Sequence, residues 1–376
     1  MYEQIIKKYP HVIAVIGEGE YAVSELIKAF ESKATLETVD GIAFYKNGQV
    51  VQTKPRELIY DLDSIPFPKH EVFFDNESNR TIGHIITSRG CPYDCSFCCL
   101  KAISKRQYRK RDITNVVNEI KSLKQKYPRL KHIQIHDDAF LLYNSRVIQF
   151  CKMVVDANLK LTFECSARVK PISSEMFYWM ERAGFTKIMF GLETGSQKLL
   201  KSIHKNINKN DVINLFKTLK PFNFTITTFL MCGFPGENDK TISETIDLVQ
   251  TTQKIHYSWI AGVGKLWVYP GTEVYDQMKN AGQIDDDFWL SDKSVPYYTV
   301  EHNSKKLIEF ENKIMYGVAI DRILTLRGFK NHFLKMPMVI TKYILQNKEF
   351  VTVIFGASLK LNFPNIHAII HKLYKN

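Results

Sequence analysis

The chain has 376 residues, 45% hydrophobic and 24% charged, a globular composition that excludes disorder, collagen and coiled coil. Lysine and arginine number 51 against 39 acids, for a formal charge of +12. The excess is uneven: residues 1–70 hold 8 basic and 10 acidic side chains, whereas residues 322–376 hold 9 basic and 1 acidic, which points to an anionic partner such as nucleic acid, lipid headgroups or a phosphorylated substrate.

In chain order, an apolar run at 12–16 and the turn Gly17-Glu18-Gly19 precede a helix at 21–30, with Val23, Ile27 and Phe30 on one face. Residues 41–51 read as a hairpin around Asn47-Gly48. Pro66 and Pro68 stop any regular element, which places a linker near 61–80. From Thr81 onward the pattern is strand, loop, helix, repeated, with strands expected at 84–88, 131–136, 161–167, 187–191, 225–231 and 259–267. Helical faces lie between them: Val116, Ile120 and Leu123 behind Asp112; Val147, Phe150, Cys151 and Val154; a helix at 176–183 capped by Ser173 or Ser174; Val212, Leu215, Phe216 and Leu219; and Ile242, Ile246 and Val249. Such alternation argues a parallel α/β architecture, open or closed into a partial barrel. No apolar stretch approaches the roughly 18 residues that span a bilayer, and no secretory signal is visible at the start. A reducing, cytoplasmic compartment is expected from the cysteines, seven in all with three inside eight residues, which suits metal binding rather than bridging.

Those three lie in Arg89-Gly90-Cys91-Pro92-Tyr93-Asp94-Cys95-Ser96-Phe97-Cys98-Cys99, directly after the first core strand. Thiolates suit iron–sulfur clusters, zinc and copper(I). Three of them can ligate three irons of a cubane and leave the fourth open to chemistry. The competing site is zinc, which takes four ligands when structural and would need His84 or His136, since Cys99 is badly placed beside Cys98.

Cys91-x3-Cys95-x-Phe97-Cys98 at a strand end, followed by α/β repeats, resembles the signature of the radical S-adenosylmethionine (SAM) superfamily. The resemblance implies that Cys91, Cys95 and Cys98 hold a [4Fe-4S] cluster, with Phe97 beside the cofactor. SAM would chelate the fourth iron, and one-electron reduction would split it into methionine and a 5′-deoxyadenosyl radical, the protein positioning cofactors that carry the chemistry. Cys99 is expected to be a small buried hydrophobe.

Polar groups recur at the strand ends, where parallel barrels place function. Of Asp137 and Asp138, one is expected to meet the SAM amino group, as the resemblance implies, and the other to cap the next helix. Arg168 can hold a carboxylate or pair with an acid such as Asp138. Glu193, between Gly191 and Gly195, resembles the family acid near the SAM ribose. Gly233-Phe234-Pro235-Gly236-Glu237 is a turn on its own, and by resemblance brings Gly233 and Phe234 to adenine. Arg109-Lys110-Arg111 reads as a solvated or phosphate-facing patch.

Gly17-x-Gly19-x-x-Ala22 superficially fits a dinucleotide fingerprint, but Glu18 and Glu20 would face the pyrophosphate with like charge. Residues 10–70 are more similar to the end of the cobalamin-binding domain that precedes some radical SAM cores. The expected fold class is therefore α/β, a partial (β/α)6 TIM-like barrel at 75–290, with a short cobalamin-binding-like α/β remnant at 1–70 and a basic, mainly helical region at 291–376. The expected function is a radical SAM enzyme performing hydrogen abstraction or methyl transfer. Its alternatives are a non-catalytic zinc or cysteine module and an RNA-modifying methylthiotransferase, a family with a cysteine-bearing N-terminal domain, whereas no cysteine precedes Cys91. The expected cofactors are a [4Fe-4S] cluster and SAM without cobalamin, because a corrin needs a nearly complete doubly wound sheet. The expected partners are a small-molecule or lipid-linked substrate, an electron donor such as flavodoxin or ferredoxin, and a membrane surface met by the amphipathic basic tail from Phe329 onward, with no nucleic acid.

Overall fold

The computed structural model describes residues 1–73 and 80–324, so the tail beyond Leu324 and its expected lipid contact lie outside the described residues. The chain begins with helix α1 (Tyr2–Lys8), strand β1 (Ala14–Val15), helix α2 (Glu20–Ser32) and the hairpin β2 (Ile42–Lys46) and β3 (Gln49–Gln52). These strands make an antiparallel sheet in the order β1-β2-β3. The Asn47-Gly48 turn closes the hairpin with both residues at positive φ, 51° and 84°, as a tight two-residue turn requires.

Helix α2 buries a different face from the one expected. Ala22, Leu26 and Ala29 pack with Val39, Ile42 and Phe44, while Val23, Ile27 and Phe30 are 47%, 53% and 61% exposed. Two alanines let the helix lie close against the sheet, and the bulkier residues on the other side are left in solvent.

The core is one six-stranded parallel sheet in the order β4-β7-β8-β9-β10-β11, with each strand beside the next in sequence. Its strands are β4 (Ile82–Ile85), β7 (His132–Ile135), β8 (Thr162–Ala167), β9 (Phe185–Glu193), β10 (Thr225–Cys232) and β11 (Ser258–Lys265). A small antiparallel pair, β5 (Ser88–Arg89) and β6 (Arg109–Lys110), brackets the cysteine loop and helix α3 (Leu100–Ser104). Between the core strands run α4 (Ile113–Lys126), α5 (Asn144–Ala157), α6 (Ser174–Arg182), α7 (Gln197–Ser202), α8 (Lys209–Leu219) and α9 (Asp239–Ile255). Then follow α10 (Glu273–Asn280) and α11 (Ser304–Leu324). Asp112 caps α4 by accepting from Thr114 N–H, and Ser173 caps α6 by accepting from Met176 N–H.

One sheet face carries Ile133, Phe163, Cys165, Ile188 and Phe190, all fully buried, together with the helical faces expected for α4, α5 and α8. Phe150 of α5 anchors this layer, with ring centroids 5.7 Å from Phe140, 5.9 Å from Phe163 and 6.3 Å from Phe185. The alternate residues His84, Gln134, Glu164, Lys187 and Met189 are only half-buried. On that face Glu164 lies 3.5 Å from His132 and 3.3 Å from Lys187. A parallel sheet ordinarily buries both faces; this one keeps a polar, open side.

Ionic contacts join the N-terminal elements to the barrel. Glu18 accepts from Arg109 Nη1 at 2.6 Å, from Arg89 Nη1 at 2.9 Å and from the Ile59 N–H at 2.8 Å. Arg89 also donates to Glu20 at 2.5 Å. Arg109 is therefore buried rather than solvated, and Arg111 pairs with Glu119 at 2.5 Å, which corrects the expectation of an open basic patch. Lys110 between them is exposed, because alternate residues of an extended segment point to opposite sides. Burial works against ionisation of Glu18, but hydrogen bonds from Arg109, Ile59 and Arg89 outweigh it and hold its pKa below the ordinary value. Glu18→Ala strands the buried Arg109, which is expected to cost about 3–5 kcal/mol. Urea unfolding followed by circular dichroism measures this, and an unshifted midpoint would show that the pair does not hold the segment.

Candidate functional site

Because the six core strands are parallel, their C-terminal ends share one edge, and every site residue expected from the sequence lies there or on the loop that follows. The cysteine loop, residues 90–99, has no helix or strand and depends on its neighbours. Asp137, just beyond β7, is buried and accepts from the Thr87 N–H at 2.6 Å, Thr87 Oγ1 at 2.5 Å and Ser88 Oγ at 2.6 Å. Burial raises its pKa despite these donors. Asp138 accepts from the Gly90 N–H at 2.8 Å. Neither carboxylate caps α5, whose N-cap is Tyr143 and lacks a side-chain hydrogen bond. A 3-10 turn, Phe140–Leu142, separates the aspartates from the helix, so they turn to the cysteine loop instead. Gly90 is required by space: a Cβ there would lie 2.0 Å from the Gln107 carbonyl oxygen, and its φ is +86°.

The far side of the loop meets the segment after α7. Ser96 N–H donates to the Ile203 carbonyl at 3.2 Å, and the Glu273 N–H donates to the Ser96 carbonyl at 3.0 Å. Arg168, after β8, stands over Tyr93 with its guanidinium carbon 3.7 Å from the ring centroid. It donates to Cys95 Sγ at 3.4 Å and also to the Lys205 carbonyl. Glu193, in a left-handed conformation at φ 65°, forms a buried ion pair with Lys205 Nζ at 2.7 Å. Lys205, Tyr93 and the segment 203–205 were not singled out in the sequence. The only hint was an acid between two glycines in need of a cation.

Phe97 packs on Phe234 with ring centroids 5.7 Å apart, in a core cluster with Leu199, Ile203 and Leu266. Phe234 is fully buried, so its ring ties the cysteine loop to the end of β10. The N–H groups of Gly233 and Phe234 both donate to Glu237 Oε2, and Oε1 of that carboxyl has no partner.

Whether the cysteines fit a cluster follows from their chemistry and spacing. All three are free thiols; Cys95 is buried, while Cys91 and Cys98 are half-buried, and burial raises the pKa of both. Cys99 is also half-buried, at the N-cap of α3, and not the enclosed hydrophobe expected. Tetrahedral zinc thiolates with Zn–S of about 2.3 Å stand about 3.8 Å apart. Among the described residues, the trio of ligating side chains within 4.8 Å of one another is Asp94, His204 and Glu273, not the cysteines. That trio already holds the Lys101 ammonium, 3.6 Å from Asp94 and 3.3 Å from Glu273. His84 and His136, the candidate fourth zinc ligands, hydrogen-bond each other at 2.8 Å. Three thiols on one loop, with both candidate imidazoles held by each other, suit an iron–sulfur cubane better than four-ligand zinc.

Burial pushes the Glu237 carboxyl up from its ordinary 4.5 to about 7, even though the Gly233 and Phe234 N–H groups favour the ionised form. The folded chain therefore keeps this proton where the unfolded chain has lost it. The stability it contributes, of order 3 kcal/mol, is complete below pH 4.5 and lost as pH rises through 7. Glu237→Gln keeps an acceptor and cannot ionise. Its melting temperature relative to the parent should rise by several degrees between pH 5 and pH 8; a difference independent of pH would contradict the assignment.

Residues 85–249 match the family model of the radical SAM superfamily. An uncharacterized methyltransferase of Pyrococcus horikoshii is 28% identical over 278 residues, covering 73% of this chain and 60% of the relative. The anaerobic magnesium-protoporphyrin IX monomethyl ester cyclase of Cereibacter sphaeroides is 24% identical over 298 residues, covering 76% and 48%. This chain thus spans roughly half to three-fifths of the length of these curated relatives. Among solved structures, the cobalamin-dependent SAM radical enzyme OxsB, with aqua-cobalamin and SAM bound, aligns with a TM-score of 0.67 at 16% identity, covering 86% of this chain and 52% of that one. The radical SAM methyltransferase TsrM of Kitasatospora setae aligns at 0.62 and 18%, covering 83% and 62%. Both likenesses support the α/β fold with its parallel, partial-barrel sheet, which is not closed here.

Proposed function

We propose that this chain, whose residues 85–249 match the family model of the radical SAM superfamily, is an enzyme of that superfamily that binds a [4Fe-4S] cluster through Cys91, Cys95 and Cys98 and cleaves SAM reductively. The chemistry that follows is hydrogen abstraction or methyl transfer on a small-molecule substrate, with an electron donor such as flavodoxin or ferredoxin as partner. The observation that carries this reading is the loop itself: three free thiols at the strand-end edge, anchored on both sides, with Arg168 3.4 Å from Cys95 Sγ.

When bound, the reduced cluster supplies the electron that splits the sulfonium of SAM. The chain's own groups prepare the place. Arg168 stabilises the Cys95 thiolate by a charge-assisted hydrogen bond. Asp137 and Asp138 fix the loop's entry, and Asp138, the less occupied of the two, would be an acceptor for a bound amino group. Lys205 pairs with Glu193, so that the acid does not stand at the strand end as an uncompensated buried charge. Phe97, packed on Phe234, closes one side of the loop with apolar surface and excludes water there.

The described residues before the core sheet include an antiparallel three-stranded sheet, β1-β2-β3, and we propose that these residues by themselves hold no corrin, whose site needs a parallel doubly wound sheet. Among the described residues no helix is long and apolar enough to cross a membrane.

Anaerobic reconstitution should yield about four irons and four sulfides per chain, absorbance near 400 nm and, with dithionite, 5′-deoxyadenosine and methionine from SAM. Each of Cys91→Ala, Cys95→Ala and Cys98→Ala should abolish cleavage, while Cys99→Ala keeps the cluster. Stoichiometric zinc without iron would overturn the reading. Titration of this chain with hydroxocobalamin followed by desalting should leave no bound corrin; retention of about one equivalent would overturn the proposal that these residues hold none.

A further inference from the structure

The open side of the core sheet changes character from one edge to the other. Across β4, β7 and β8 it presents His84, Gln134 and Glu164, whereas across β9, β10 and β11 it presents Met189, Gly191, Phe229, Met231, Gly262 and Gly264. Strand β10 is paired on both edges, and its helix-covered side is closed by the buried Ile226, Leu230 and Cys232. Phe229 is nevertheless 39% exposed, while Phe163 and Phe190 on the covered side of the sheet are fully buried.

Glycines flank Phe229 in register, Gly191 on β9 and Gly262 on β11, and Met231 stands beside Gly264. An aromatic ring opposite a glycine can fold over it and be accounted for by the sheet alone. That does not happen at Gly262, where an added Cβ would meet no atom within 4 Å, so the space beside the ring is empty. The backbone at φ 148°, beside a shift of register, explains why residue 262 is a glycine but not why the neighbouring ring stays in solvent. At Gly264 a Cβ would make only ordinary contacts, 3.8 Å from the Leu230 carbonyl oxygen and 3.9 Å from Met231. Crowding therefore does not demand a glycine there, and a glycine inside a strand often marks the close approach of a ligand. Over Gly191 the space is filled: a Cβ would lie 2.6 Å from Glu193 Oε1 and 3.2 Å from Lys205 Nζ. The Lys205 carbonyl accepts from Arg168, which donates to Cys95 Sγ, so a short run of contacts joins this shelf to the cysteine loop.

We propose that Phe229, with Met189 and Met231 beside it, seats the substrate, and that the substrate presents a planar aromatic ring there. Such a ring gains offset or edge contact with Phe229 and with the thioether sulfurs. Its flat body also fits over bare glycine backbone, where a puckered aliphatic ring of the same size meets fewer atoms. The charges nearest the shelf are matched, Glu193 with Lys205 at 2.7 Å and Lys187 with Glu164 at 3.3 Å, so the ring itself is uncharged. The ring's role as substrate rests on the SAM-cleaving reading; its binding rests on the sheet alone.

Isothermal titration of the full chain, as purified and again after anaerobic reconstitution, compares 2-naphthol with decahydro-2-naphthol, its puckered saturated counterpart. 2-Naphthol should bind saturably at one site in both preparations, about ten-fold tighter than the saturated alcohol. Phe229→Leu, which keeps an apolar side chain but no ring face, should weaken it about five-fold. Gly264→Leu, which raises a side chain from an exposed position, should remove it, and tests the same seat should Phe229→Leu fail to fold. Phe30→Leu removes a ring that is more exposed, on α2, and should leave the affinity unchanged. Saturating SAM should not displace 2-naphthol from the reconstituted protein; displacement would assign the shelf to SAM itself and overturn the proposal. So would no saturable binding, equal or tighter binding of the saturated alcohol, binding untouched by a folded Phe229→Leu or Gly264→Leu, or an equal loss in Phe30→Leu. A reconstituted chain that binds 2-naphthol at Phe229 but holds no iron would count against the SAM-cleaving reading alone.

Discussion

The carboxylate of Asp137 is the contact on which the rest of the site depends. A loop of ten residues without a helix or strand has no hydrogen-bond ladder of its own, so its backbone donors must find partners elsewhere. Asp137 takes three of the donors at the loop's approach, and Asp138 takes the next, at Gly90. Each donor left unpaired in such a buried place costs about 1–3 kcal/mol. The other half of the loop hangs from Ile203 and Glu273 through backbone bonds at Ser96. With both ends held, the loop positions its three thiols without a ladder of its own, which is what a site on a loop needs if it is to be as rigid as one on a strand.

Buried charge elsewhere follows the same rule of matched partners. Glu193 and Lys205, Glu18 and Arg109, and Glu119 and Arg111 each remove an ion from water against an opposite one. Such pairs add little net stability compared with apolar packing, but losing one partner is expensive. Their use is positional. Glu18 registers the first turn of the chain on the barrel, and Lys205 holds an acid at a strand end. Glu237 differs, because its partners are backbone N–H groups and its second oxygen is unpaired.

The core strands were legible because each is a short apolar run rich in β-branched or aromatic residues, cut off by turns; 225–231 against the observed Thr225–Cys232 is typical. Helical faces on α4, α5 and α8 were legible from their 3.6-residue period. Helix α2 was misread because hydrophobicity favours Val23, Ile27 and Phe30, whereas close packing favours Ala22 and Ala29. Arg109 and Arg111 looked like a solvated charge run because their carboxylate partners come from elsewhere: Glu18 is 91 residues away and Glu119 lies on the next helix. Lys205 lay in an unremarked turn between two helices. Pairings between loops leave no period in a sequence, and these loops carry most of the site.

The strand order has a consequence for how the chain comes together. In β4-β7-β8-β9-β10-β11 every core strand pairs with the next core strand along the chain, so the sheet can grow outward one core strand at a time. Each closure then spans only the segment between neighbouring core strands, which keeps the entropic toll of loop formation low for a parallel sheet. The ties from Glu18 to Arg89 and Arg109, 71 and 91 residues along the chain, lie outside that progression. They join an N-terminal segment whose own sheet closes locally to a barrel that closes by succession, which places their formation late in assembly.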